Sequence, residues 1–340
     1  MDFARCTLFT ELSLNKITIS DKFSLLDYRN NMYNSNNIDR IYEFYESFPN
    51  TESLIKWMKE RPHGKTTIYE CPGNSDIVVI IPTSNFNSEF AKTCRDSIFK
   101  GLQIIFVESG FPRDTYFNYA YSCNMGVRIA LRFNPKWVVI SNDDMEKVDD
   151  VSKLIYELEN SSKDAQIIWT DENNLLQHDF EILSATILLK LFMRASKILR
   201  KFSKSPRVRN LYLFEKFSIY LKPRYTKSSI NRLSKILYRV VGNYKVPGHF
   251  AIYNPEFIKS MGENLFDESF INGFEDTWLG INAGIERIKS DIIRYKISPI
   301  VGASLGTGII RYLRNFNNLA LYNYYVKENQ LTTSMINSKK

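Results

Sequence analysis

Cysteine is scarce in this chain, four in 340 residues, and Cys6, Cys71, Cys94 and Cys123 lie far apart with no Cys-x-x-Cys pair. That spacing points to neither a zinc site nor a disulfide framework. The cysteines read instead as small hydrophobic side chains in a reducing compartment. Histidine is scarcer still, with three in all and none after His249; His178 and His249 are expected to be structural. Residues 1–20 lack a basic stretch followed by a continuous apolar one, so no secretory signal is expected. The longest apolar run, Ile182 to Met193, is broken by Lys190 and is too short to span a bilayer. No Gly-rich loop carrying a Lys follows the first strand-like run, which disfavours a nucleotidyltransferase of the phosphate-loop kind. A cytoplasmic protein is expected, soluble or peripheral on the inner face of the membrane.

What is present is apolar content sufficient for a large core, 44% hydrophobic and 14% aromatic, in a length that suits one enlarged domain or a domain with additions. Charge is unevenly placed. Between Lys190 and Lys245, sixteen basic residues against the single acid Glu215 give +15, which leaves −7 for the rest of a chain of formal charge +8. The segment 178–245 therefore reads as a basic helical insertion with apolar faces at Ile182, Leu183, Ile187, Leu188 and at Leu233, Ile236, Leu237, Val240. It is either a solvated helical addition or a surface that lies on anionic lipid through 190–245. Nucleic acid is a less favoured partner, because no DNA- or RNA-binding motif accompanies the basic face.

Along the chain, residues 1–75 are expected to form a helical extension, with Ile38-Ile41-Tyr42-Phe44-Tyr45 and Leu54-Ile55-Trp57-Met58 near helical spacing and breaks at Pro49 and Pro62. From 76 onward the pattern alternates. Ile77 to Ile81 is a β-branched run stopped by Pro82, Leu102 to Val107 a second apolar run, and Trp137 to Ile140 a third, each reading as a strand buried on both faces. Helices are expected over Ser88 to Lys100, Tyr116 to Arg132 and Val151 to Glu159, with a strand at Gln166 to Thr170. After the insertion, Val246 to Tyr253 is strand-like and Pro255 to Met261 helical. The alternation predicts an α/β, Rossmann-like mixed sheet flanked by helices, whose ligand binds outside the carboxyl ends of the strands.

Polar residues sit at those ends. The first strand runs into Pro82-Thr83-Ser84-Asn85, the second into Glu108-Ser109-Gly110 and the third into Asn142-Asp143-Asp144, while Glu275-Asp276 opens a later helix. Hard oxygen ligands after the third strand suit Mg or Mn bridging phosphate oxygens. In this order, with Asn124-Met125-Gly126 on a helix, a glycine-bearing strand from Gly248 and the segment Phe266-Asp267-Glu268-Ser269-Phe270, the chain resembles the family 2 glycosyltransferases of the GT-A fold. The resemblance covers about 76–170 and 247–283, and less closely to about 327.

The resemblance implies a GT-A catalytic domain over 76–283, with 284–340 as a strand and helix segment completing the site. It further implies transfer of a sugar from a nucleotide-diphosphate donor to a hydroxyl of a glycan or lipid-linked acceptor, by an inverting, metal-assisted single displacement. Pro82, Thr83, Asn85, Glu108, Asn124, Gly126 and Asp143 would hold the donor. Asp144 and Asn142 would hold the divalent cation, and Asp276, oriented by Glu275, would be the general base. Two departures stand out: the first position of the metal motif is Asn142 rather than Asp, and Ile300 to Ser304 holds no histidine. Arg311 and Arg314 could neutralise phosphate instead, although each reads first as a surface arginine. The competing expectation is a non-catalytic protein of the same fold that docks on membrane or nucleic acid through its basic insertion.

Overall fold

The computed structural model describes residues 7–9, 20–170, 249–279 except 277, 289–300, and 309–325 except 316, 319 and 323. The basic insertion, 178–245, lies outside these residues, as do 301–304. At the centre is an eight-stranded mixed sheet. In chain order its strands are β1 (Thr7–Phe9), β2 (Thr67–Cys71), β3 (Asn74–Thr83), β4 (Leu102–Glu108), β5 (Trp137–Ser141), β7 (Ile167–Thr170), β8 (Phe250–Tyr253) and β9 (Ser290–Ile293). A separate two-stranded ribbon pairs β6 (Met145–Lys147) with β10 (Ile297–Pro299). The order across the sheet is β1-β2-β4-β3-β5-β8-β7-β9. Strands β4, β3 and β5 are mutually parallel; β8 runs antiparallel between β5 and β7.

The continuous apolar runs are buried on both faces, as their composition predicts. Ile77, Val79 and Ile81 of β3 pack in one core with Ile104 and Phe106 of β4, and with Leu154 and Leu158 of helix α6 (Val151–Glu159). The alternate residues Val78, Ile80, Ile105 and Val107 pack in a second core on the other face. There they meet Ala120, Cys123 and Val127 of α5 (Tyr119–Ala130), and Phe257 and Ile258 of α7 (Pro255–Ser260). Helix α4 (Glu89–Thr93) continues through a π turn at Cys94–Ile98 on the first face.

The N-terminal helices α1 (Ser20–Tyr33), α2 (Ile38–Glu46) and α3 (Thr51–Glu60) form a third core with the late chain. Phe44, Trp57 and Met58 pack there with Phe270, Ile271, Leu321 and Tyr322. The expected helical extension over 1–75 is thus only partly helical, since β1 and β2 fall inside it and β2 pairs antiparallel with β4. The reading of the cysteines also needs correction: Cys71 is disulfide-bonded, while Cys94 and Cys123 are buried free thiols. The remaining cysteine, Cys6, lies outside the described residues. Strand β1 brings the N-terminal segment onto β2, with Thr7 opposite Glu70, a proximity that spacing along the sequence does not reveal.

Candidate active site

The chain passes from β3 to β4 on one side and then returns across β3 to β5, so the sheet order reverses between β3 and β5. A crevice outside the carboxyl ends of two such strands is where open α/β sheets bind ligands. Thr83 ends β3 there, and Asn142-Asp143-Asp144 follows β5. The Thr83 hydroxyl donates to Asp143 Oδ2 at 2.7 Å and accepts the Asn85 amide at 3.2 Å. Pro82 is buried within β3, paired with Val107. At the end of β4, Glu108 Oε2 accepts the Phe86 amide at 2.7 Å, closing the Asn85–Phe86 turn against that strand. Phe86 in turn stacks on Tyr69 at 4.2 Å between centroids.

The acidic turn is partly enclosed. Burial raises the Asp143 carboxyl above the usual range, with Asp144 adding to the rise, while the Thr83 hydrogen bond and the Arg113 charge oppose it. Asp144 is only 5% exposed, and its Oδ1 is buried without a hydrogen-bond partner among the described residues. Its carbonyl accepts the Ile300 amide at 2.8 Å, tying the turn to the residue after β10. A buried carboxylate oxygen left unsatisfied is costly, and a divalent cation would satisfy it. Among the described residues no three His, Cys, Asp or Glu side chains form a cation cage. The side chains at this turn that could hold a cation are Asp144 and Asp143.

Glu275 and Asp276, about 130 residues further along, approach the same turn through Tyr119 at the start of α5. The Tyr119 hydroxyl donates to Asn142 Oδ1 at 3.0 Å. Burial drives its phenol far above the ordinary range, and the charges of Glu275 and Asp276 add to the rise, so it remains a neutral donor. Asp276 similarly perturbs Tyr253 on β8, the neighbour of β5. Glu275 is 7% exposed and its carboxyl is pushed up to about 8 by burial and by Asp276, partly offset by the amides of Gly273 and Glu275 itself. Burial and the neighbouring Asp276 thus favour the neutral form of the Glu275 carboxyl.

Three residues singled out in the sequence make structural contacts. Asn124 is fully buried; its amide donates to Phe266 O at 2.8 Å and Glu268 Oε1 at 2.9 Å, and its oxygen accepts the Phe266 amide at 3.0 Å. It clamps the 266–268 segment onto α5. A Cβ on Gly126 would meet Ile80 Cγ2 at 2.3 Å, so this glycine permits close packing of α5 on β3. Arg314 donates to the carbonyls of Tyr33, Asn34 and Ser35 at 3.2, 2.8 and 3.1 Å. It fastens the last residue of α1 and the two residues that follow the helix. The Arg311 side chain lies outside the described residues.

Sequence reasoning missed several contributors. Tyr119 and Arg113 carried no motif signal. Asn118 caps α5 by accepting the Tyr121 amide and also donates to Glu268 O and Phe270 O at 2.7 and 3.2 Å. Asn272 Oδ1 accepts the Tyr119 amide at 2.9 Å, and His63 stacks on Tyr121 and faces Glu268 Oε2 at 3.6 Å. The capping signal at Asn118 was readable; its second partner was not. A cavity of about 340 Å³ borders this segment, lined by residues that include Met261, Phe266, Glu268 and Trp278. Its lining includes neither Asp143 nor Asp144. No protein-family model matches the chain, and no curated protein matches it.

Proposed function

We propose that this chain is a glycosyltransferase with a GT-A-like catalytic domain, moving a sugar from a nucleotide-diphosphate donor to a hydroxyl acceptor with inversion. The observation that carries the reading is the joining of two acidic segments remote in sequence. Thr83, Asn142, Asp143 and Asp144 line one side of the switch-point crevice, and Glu275-Asp276 is coupled to it through Tyr119. The donor diphosphate belongs at Asp143 and Asp144, where a divalent cation would offset the leaving charge.

The acceptor oxygen attacks the anomeric carbon as the bond from that carbon to the diphosphate oxygen breaks, and the bonding pair leaves with the nucleotide. The acceptor proton passes to Asp276, the more open member of its pair. Burial favours the neutral form of Glu275 beside it, and the Tyr119 hydroxyl orients Asn142. Supporting this division of roles, Glu275 is buried whereas Asp276 is partly open.

The test is nucleotide release from UDP-, GDP- and dTDP-sugars, with Mn or Mg, by the purified protein. Release by the unsubstituted chain and its loss in Asp276→Asn by about 10²-fold or more, with nucleotide protection against thermal unfolding retained, is the expected result. Neither release nor protection with any donor would overturn the reading.

A further inference from the structure

Glu275 and Asp276 follow directly on a turn that needs support. Asn272 and Phe274 both take left-handed backbone angles, with φ of 53° and 73°. Asparagine tolerates that region, but a bulky residue such as phenylalanine is rarely found there, so 271–274 keeps this shape only where its surroundings hold it. The Trp278 amide then donates to Phe274 O at 2.8 Å, which begins the helical turn carrying Glu275 and Asp276. One side of the turn is held by α5 and the residues before it. Asn118 donates to Phe270 O at 3.2 Å, and Asn272 accepts the Tyr119 amide at 2.9 Å and donates to Phe117 O at 3.3 Å.

The other side is held from far along the chain. Asn318, fully buried, accepts the Ile271 amide through Oδ1 at 2.9 Å and donates from Nδ2 to Ile271 O at 2.9 Å. One side-chain amide thus binds both backbone groups of Ile271, which fixes the orientation of that residue as well as its distance. Beside it, a Cβ on Gly273 would meet Asn315 Oδ1 at 2.7 Å and Asn318 Nδ2 at 3.4 Å, so the turn lies directly against residues 315–318. Those residues are anchored in turn on the N-terminal helices. The Tyr45 hydroxyl donates to Leu313 O at 2.5 Å and accepts the Asn317 amide at 3.3 Å, and the Tyr33 hydroxyl donates to Arg314 O at 3.2 Å.

We propose that Asn318 is a positioning residue for the general base: by fixing Ile271 it sets where Asp276 stands relative to the reacting hydroxyl. The proposal rests on the glycosyltransferase reading and adds to it a residue that acts through the 271–274 turn without touching substrate. A general base works in the transition state, so its displacement lowers kcat and leaves the donor KM nearly unchanged. A shift of about 1 Å can cost on the order of 10²-fold.

The experiment measures steady-state nucleotide release from the preferred donor, with Mn, by the full chain and by Asn318→Ala, Asn318→Asp and Leu158→Ala, each below its own unfolding midpoint. Leu158→Ala is the stability control, since Leu158 packs in the core on the opposite face of the sheet from α5. The expected result is a kcat lower by about tenfold or more in Asn318→Ala and by about threefold or more in Asn318→Asp, with donor KM within about twofold in both and kcat within about twofold in the control. Asn318→Asp preserves the shape of the side chain and its acceptor for the Ile271 amide, and it decides the matter if Asn318→Ala does not fold. A kcat loss no larger than that of Leu158→Ala, or a loss carried by KM, overturns the role of Asn318 while leaving the proposed activity standing. If the unsubstituted chain releases nucleotide from none of the UDP-, GDP- and dTDP-sugars, both fall.

Discussion

Glu275 holds a proton that its unfolded counterpart releases, and stability must respond to pH accordingly. Its folded pKa of about 8 lies above the ordinary value of 4.5. Below pH 4.5 both states are protonated; between 4.5 and 8 only the native state keeps the proton, so this group's contribution to stability is lost as pH rises through that window. At roughly 1.4 kcal/mol per unit, the swing is on the order of a few kcal/mol. In Glu275→Gln the loss disappears, and urea unfolding between pH 5 and 8.5 should show a flatter pH dependence than in the unsubstituted protein. Equal slopes would show that the carboxyl is ionised in the folded state. The acidic pair was legible in the sequence as a cluster opening a helix. Which member keeps the proton was not, because that depends on burial and on a neighbouring charge.

At the scale of elements, α5 is the organiser. Its N-terminus places Tyr119 beside Asn142, its N-cap Asn118 reaches Glu268 and Phe270, and Asn124 clamps Phe266. Gly126 lets the helix approach β3 closely. In Gly126→Ala the methyl group presses on Ile80, and an overpacking cost of about 1–3 kcal/mol outweighs a helix-propensity gain of ~1 kcal/mol. Chemical denaturation should show net destabilisation; a more stable variant would mean the helix does not sit this close. The helix itself was readable from periodicity over Tyr116 to Arg132, and β3, β4 and β5 from their unbroken apolar runs, since burial on both faces leaves no polar alternation. Asn124 and Gly126 were readable as a motif but not as a clamp and a packing contact. Their partners Phe266, Glu268 and Ile80 are distant in sequence, and a motif names residues without naming what they touch.

Over the whole molecule, the N-terminal helices and the late chain share one core, in which Trp57 lies between Phe44, Phe48 and Tyr33 at centroid distances of 4.9, 6.0 and 5.8 Å. Trp57→Ala should therefore cost about 3–5 kcal/mol and lower the stability of the whole protein in a single transition. Separate transitions by near- and far-ultraviolet circular dichroism would show that the N-terminal helices unfold independently. The amino-acid sequence by itself determined the strands, the helices between them and the polar turns at the strand ends, because hydrophobic period and capping are local signals. Only the tertiary structure decided that β1 and β2 complete the sheet, that Cys71 is oxidised, that Arg314 fastens the chain after α1 and that Tyr119 meets Asn142. Each of those is a pairing across tens to hundreds of residues, and such pairings exist only once the packed chain has fixed which ends meet.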